Sequence, residues 1–264
     1  MPKKNFLWVR EDFRMEDNPA LYSISNFGQK IYAFFIYDEK KFKNRSAQQW
    51  WLYKTLVNFQ NKLNNLGISF KIYAENEVQC IKKLIKSENI DKFYYNTIAR
   101  PDELLIESEI EKNLTSHDIN WKKFESNLLQ DPFSVRKKDN TPFQVFTPYW
   151  RNAEEQYLKN KNFINKKITY KKSVIKEDNN DVLNLILPKK KWFEKFEKFW
   201  TPGEEMAKTL LKSFIKKKIV EYGTNRDIPS VEGTSKLSPY LAFGEISSQT
   251  IFEECYKISQ KKIG

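Results

Sequence analysis

Five short runs in the first half of the chain are dominated by β-branched and aromatic residues: Asn5 to Val9, Ile31 to Tyr37, Ile68 to Tyr73, Lys92 to Tyr95 and Ile119 to Lys122. Their length and make-up predict strands. Between them, stretches over roughly 46–66, 77–89 and 101–114 read as helices, and Gly67 stands where a helix C-terminus takes a left-handed residue. Asp17-Asn18-Pro19 reads as an N-cap followed by a first-turn proline, so the first crossover also begins as a helix. Strand and helix in alternation predict an α/β domain over residues 1–130: a Rossmann-like parallel sheet of five strands with helices on both faces.

The pattern changes further on. From about Asn160 to Lys191 it dissolves into Lys, Asn and Asp with isolated apolar residues, which predicts a long solvated connection inside a linker region, 131–195, that holds one helix. Thr201-Pro202-Gly203-Glu204 has the form of a capping box with proline at the first helical position. The helix it opens would carry Met206, Leu210, Phe214 and Ile215 on one face and Lys208, Lys212 and Lys216 on the other. Short helices punctuated by Gly223, Gly233, Pro239 and Gly244 follow, so 196–264 reads as the start of an all-helical domain.

Composition removes several chemistries. The single histidine, His117, sits in a polar stretch as an ordinary surface residue, and the two cysteines, Cys80 and Cys255, lie 175 positions apart. Neither a cysteine/histidine metal site nor a disulfide framework can be built from them. The seven glycines spell neither a G-x-G-x-x-G fingerprint nor a P-loop. The longest apolar run, Ile31 to Tyr37, has seven residues against the roughly 20 of a membrane span, so no membrane partner and a cytoplasmic location are expected.

Charge points to an anion. The formal net charge is +12, and it is uneven: residues 1–150 carry 23 basic and 19 acidic side chains (+4), residues 151–264 carry 23 and 15 (+8). A polyanionic partner, nucleic acid or nucleotide phosphate, therefore belongs mainly to the second half. There Ser238 before Pro239 reads as an N-cap and first-turn proline, and Gly233-Thr234-Ser235 lies just upstream. Hydroxyls and free backbone N–H groups converging there would bind phosphate. On local composition alone, the plainer reading is that these hydroxyls merely cap short helices.

Three ordered motifs carry a family resemblance. Tyr222 to Ser247 reads Y-x-x-x-R-D-x-P-x-x-x-G-T-S-x-L-S-P-Y-L-x-F-G-x-I-S and closely resembles the flavin-binding start of the DNA photolyase/cryptochrome family. Trp8 to Asn18 is similar to that family's opening W-x-R-x-D-[LF]-R-x-x-D-N, and Val145 to Arg151 is similar to the segment closing its N-terminal domain. The resemblance is to the N-terminal portion of a class I cyclobutane pyrimidine dimer photolyase.

That resemblance implies light-driven DNA repair by FAD, acting on a dimer flipped out of damaged DNA, in a full-length protein that is a monomer. The family's non-catalytic blue-light receptors share the same motifs. It implies that Tyr222, Thr234, Ser235, Lys236, Leu237 and Ser238 contact FAD, with the hydroxyls around the diphosphate. Arg226 would reach a DNA phosphate; pairing with Asp227 or Glu232 is the alternative. For the light-harvesting antenna, methenyltetrahydrofolate, the family pattern ends in Asn-Glu where this chain has Asp102-Glu103. A carboxylate at 102 can still accept from a pterin amino group, and Glu103 reads equally as a first-turn helix acid. At 264 residues the chain is about half the usual family length, so the catalytic side chains are expected in a further C-terminal part and this polypeptide alone is expected to be inactive. The faces Met206/Leu210/Phe214 and Ile251/Cys255/Ile258 are expected to lack cover, making it poorly soluble without a complementary fragment.

Overall fold

The computed structural model describes residues 3–159, 168–174 and 179–263. Five parallel strands, β1 (Lys4–Trp8), β2 (Ile31–Tyr37), β3 (Ser69–Ala74), β4 (Ile90–Asn96) and β5 (Asn120–Phe124), form one sheet in the order β3-β2-β1-β4-β5. The period-two alternation explains its two faces. Leu7, Ala33, Phe35 and Tyr37 point to one side, beneath α1 (Pro19–Ser25) and α2 (Ser46–Asn65); Phe6, Trp8, Phe34 and Ile36 point to the other, beneath α3 (Glu77–Ser87) and α4 (Pro101–Ser116).

The predicted helix ends are realised by identifiable bonds. Asn18 caps α1 by accepting from Leu21 N–H at 3.1 Å. At the end of α2 the N–H of Gly67 donates to Asn64 O and that of Ile68 to Leu63 O, both at 3.0 Å, with Gly67 left-handed at φ 73°.

Helix α2 works on two sides. Leu52, Leu56, Phe59 and Leu63 pack on the sheet, whereas Trp50 and Trp51 anchor a third cluster with Ala207, Leu211, Leu237, Tyr240 and Ile246. That cluster joins α7 (Glu204–Lys217), α9 (Ser238–Ala242) and α10 (Ser248–Ile263) to the α/β layer, while α8 (Tyr222–Asn225), between α7 and α9 in the chain, buries none of its residues. Helix α5 (Phe146–Lys159) meets α10 through Trp150 and Tyr157, whose rings lie 6.1 and 5.1 Å from Phe252.

The structure revises several expectations. Among the described residues of 131–195 there are two α-helices, α5 and α6 (Asn180–Ile186), where one was expected. Part of the run read as solvated is core: Tyr170, Leu183 and Ile186 are buried against the sheet. Asn179 explains the docking, because its side chain accepts from Ile72 N–H and donates to Phe70 O, both at 2.9 Å, serving edge strand β3 as a neighbouring strand would. Residues 160–167 and 175–178 of that run lie outside the described residues.

Nor does a capping box open α7. Its N-cap is Gly203 at φ 130°, and the Glu204 carboxylate is taken by two lysines and two distant backbone N–H groups. Ser238 is the first residue of α9 and not its cap; Leu237 holds that position without a side-chain bond. Helix α7 turns Ala207, Leu211 and Phe214 inward, leaving Met206, Leu210 and Ile215 half-buried at the rim. The faces expected to stand open are likewise part-covered, since Ile251 and Cys255 of α10 pack at the same rim and Ile258 is half-buried.

The tightest contact between the two layers is at Gly244. At φ 62°, a Cβ built there would lie 1.8 Å from Glu11 O. Gly244→Ala is expected to destabilise by about 3 kcal/mol or more through clash and strain together. Gly223→Ala, where nothing lies within 4 Å, should stay within about 0.5 kcal/mol. Urea unfolding of the two variants against the parent checks the contrast.

Candidate functional site

The strand order reverses direction at β1, so α1 and α4 leave the carboxyl ends of β1 and β4 on opposite faces and open a crevice there. A cleft of about 640 Å³ occupies it, with Phe13, Phe35, Leu52 and Phe243 among its apolar walls. Its floor is ionic. The Arg10 guanidinium stacks over the Trp8 ring at 4.3 Å and pairs with the buried carboxylates of Glu103 and Glu107. Glu107 in turn accepts from Thr97 Oγ1 at 2.6 Å and Ile98 N–H at 2.9 Å, which fixes the β4–α4 turn.

The structure separates the two residues expected at an antenna. Glu103, 3% exposed, is committed to Arg10, to Lys41 at 2.7 Å and to Arg100 at 3.2 Å. Burial alone would raise its pKa, but these three cations outweigh it and hold the carboxyl below the ordinary glutamate range. Asp102, 73% exposed, lies at the cleft rim, and among the described residues its ion-pair contact is the long 4.0 Å one to Arg100.

The second expected site is an exposed turn. Lys236 is left-handed at φ 57° and Leu237 is right-handed helical at φ −86°, ψ −9°. Successive residues of opposite hand turn consecutive N–H groups to one side, which makes an anion-binding concavity. Leu237, buried in the Trp50/Trp51 cluster, anchors it, and Ser235 Oγ accepts from Leu237 N–H at 3.4 Å. Thr234 and Ser238 are exposed and Ser235 is half-buried, so the hydroxyls face solvent and do not sit in helix caps. The Lys236 ammonium is engaged by Glu232 at 2.6 Å. Nearby, the Tyr222 ring packs edge-on to Phe214 at 5.4 Å, with the Arg226 guanidinium 5.9 Å from it. Arg226 is 54% exposed and its contact with Asp227 is a loose 3.6 Å. His117 is exposed at the end of α4, its Nδ1 2.8 Å from Asn113 O, away from both sites.

A seam of buried polar groups joins these sites, and sequence reasoning missed most of it. Arg14, 2% exposed, donates to Asp17 O at 2.9 Å, Ser126 O at 2.8 Å, Asn127 Oδ1 at 2.9 Å and Gly244 O at 3.0 Å. Asp17 accepts from Ser247 Oγ, so the two motifs at the ends of the chain meet. Glu204 accepts from the N–H groups of Met15 and Glu16 at 3.0 and 3.1 Å and pairs with Lys62 and Lys208 at 2.8 and 3.0 Å. Glu245 accepts from Trp51 Nε1 at 3.1 Å and Thr55 Oγ1 at 2.6 Å. Its place inside the F-G-x-I-S string was the only available signal.

With this geometry established, comparison identifies the lineage. The sequence profile of the DNA photolyase family matches residues 5–167. The chain belongs to the DNA photolyase family. Its relatives include the deoxyribodipyrimidine photo-lyases of Agrobacterium fabrum, 27% identical over 96% of this chain and 53% of theirs, and of Alkalihalophilus pseudofirmus, 31% identical over 93% and 52%. Cryptochrome-2 of Arabidopsis thaliana is 28% identical over 98% of this chain and 44% of its own. The crystal structure of a bacterial class III photolyase from Agrobacterium tumefaciens superposes with a TM-score of 0.82 at 26% identity, covering 98% of this chain and 54% of that one. The photolyase-family chain thus spans about half the length of the curated relatives it matches.

The seam's charge balance makes a testable statement about pH. Burial pushes the Glu204 pKa up, but Lys62 and Lys208 overcome this and leave it below its ordinary value. A depressed carboxylate stabilises the fold above its unfolded pKa, near 4.3, and that contribution is lost as pH falls through the folded value. Glu204→Gln is expected to cost about 2–3 kcal/mol at pH 7, with the gap to the parent closing below about pH 4. Unfolding free energies at pH 7, 4 and 3 measure it.

Proposed function

We propose that this chain is the nucleotide-gripping portion of a light-driven DNA-repair flavoprotein acting on cyclobutane pyrimidine dimers. The observation that supports this best is the concavity at 234–238: a left-handed lysine beside exposed hydroxyls, on the more basic half of the chain, with its apolar root buried. A diphosphate fits such a cradle, because it offers oxygens to N–H and O–H donors at once. Thr234, Ser235 and Ser238 would hold the FAD diphosphate, Lys236 would present its N–H group to it, Leu237 would line the cradle from its buried side, and Tyr222 would flank it. When bound and reduced, FAD supplies the electron that opens the dimer under blue light. This chain's own part is to grip and orient the dinucleotide and, through Arg226, to hold a phosphate of the damaged strand.

The cleft at the ends of β1 and β4 is our candidate for a folate antenna, with Asp102 as the acceptor for a pterin amino group and Glu103 as the fixed anchor of the floor. A non-catalytic blue-light receptor is the alternative favoured by the plant cryptochromes among the relatives.

Flavin fluorescence titration tests the grip: Thr234→Ala with Ser235→Ala should weaken FAD binding by about tenfold or more, and unchanged affinity would remove the turn from the site. Arg226→Ala should leave FAD affinity alone while weakening binding to a dimer-containing oligonucleotide and reducing its salt slope by about one. Loss of the dimer under blue light by the flavin-loaded protein would support repair over the receptor reading.

A further inference from the structure

Among the described residues Glu245 is a buried carboxylate with no ion pair, as are Asp12 and Asp17 in the β1–α1 loop, and it differs from those two in lying against α2. Glu103 and Glu204 each face two or more cations at hydrogen-bond distance. Glu245 is fully buried between α2 and the turn after α9, and the bonds it accepts there come from neutral donors, the Trp51 indole, the Thr55 hydroxyl and the Gly203 backbone N–H. The charged and titratable groups around it are committed elsewhere. On α2, the Lys62 ammonium lies on Glu204 and Glu205 at 2.8 and 3.0 Å. On α9, the Tyr240 hydroxyl donates to Thr201 O at 3.0 Å. In the β1–α1 loop, Arg14 is bound to the adjacent Gly244 carbonyl, Asp12 accepts from Arg10 N–H, and Asp17 is held by Ser247.

We propose that Glu245 is a proton-operated latch: protonated, it seats the helical layer on the Trp51/Thr55 face of α2, and ionised, it loosens that seat and with it the turn at 234–238. The connection is short and rigid. Trp51 packs on Tyr240 at 5.0 Å and on Phe243 at 6.3 Å, and both follow Leu237, the buried root of the turn, in or directly after α9. Burial pushes the Glu245 carboxyl up to about 7, with its hydrogen bonds from Thr55, Gly203 and Trp51 and the more distant Lys62 charge only partly opposing the shift. The sign follows. A carboxyl whose folded pKa is raised favours the closed seam most below its unfolded value, near 4.3, and that advantage is lost as pH rises through 7. Opening should therefore increase roughly tenfold per pH unit across that window and level off above it. That the turn holds a nucleotide rests on the function proposed above; the latch itself does not.

The test uses the unliganded chain. The Trp51 indole ¹⁵N–¹H resonance, followed from pH 5 to 8.5, should shift with a one-proton midpoint near 7, and cleavage after the exposed Lys236, corrected for protease activity, should rise about 100-fold from pH 5 to 8. Glu245→Gln should abolish both dependences. A flat indole titration, a midpoint below 5, or pH-independent cleavage in the parent would each overturn the latch, whether or not the variant folds. FAD affinity measured over the same range keeps the two ideas apart: no binding at any pH counts against the nucleotide site, while the indole titration still decides the latch.

Discussion

The guanidinium of Arg14 is the constraint on which the two layers depend. It is buried with almost no access to water, and a buried cation is tolerated only when its donors are satisfied in place. Its acceptors come from three separated parts of the chain: the Asp17 carbonyl, the Ser126–Asn127 segment after β5, and the Gly244 carbonyl at the foot of the helical layer. None can move far without leaving a buried charge unpaired. Gly244 must therefore approach Glu11 so closely that no side chain fits, and the adjacent Glu245 is carried into the interior with it.

The positions of the two candidate sites follow from that weld. The cleft at the ends of β1 and β4 is floored by Arg10 and walled partly by Phe243, so it needs both layers to exist. The turn at 234–238 is rooted through Leu237 in a cluster whose other half is the Trp50/Trp51 pair of α2, so the turn and the cleft share one support.

Local regularities were legible in the sequence. The five strands and the helices between them showed because apolar spacing differs between the two periods, and Gly67 and Asn18 showed because caps need particular residues at particular offsets. What escaped was decided by partners far along the chain. Glu204 looks like the end of a capping box until Lys62, Lys208 and the Met15 and Glu16 N–H groups claim it. Asn179 looks like linker until β3 needs a neighbour. Within the family motifs, Arg14, Asp17, Gly244 and Ser247 join layers, and Thr234 and Ser238 are left exposed.

Amide hydrogen exchange on Arg14→Lys, which keeps the charge and loses the fork, is the most direct measurement of this weld. The account predicts that amides of 243–250 exchange at least about tenfold faster while β1, β2 and β4 keep their protection. Unchanged exchange at 243–250, or equal loss across the sheet and the helical layer, would contradict it.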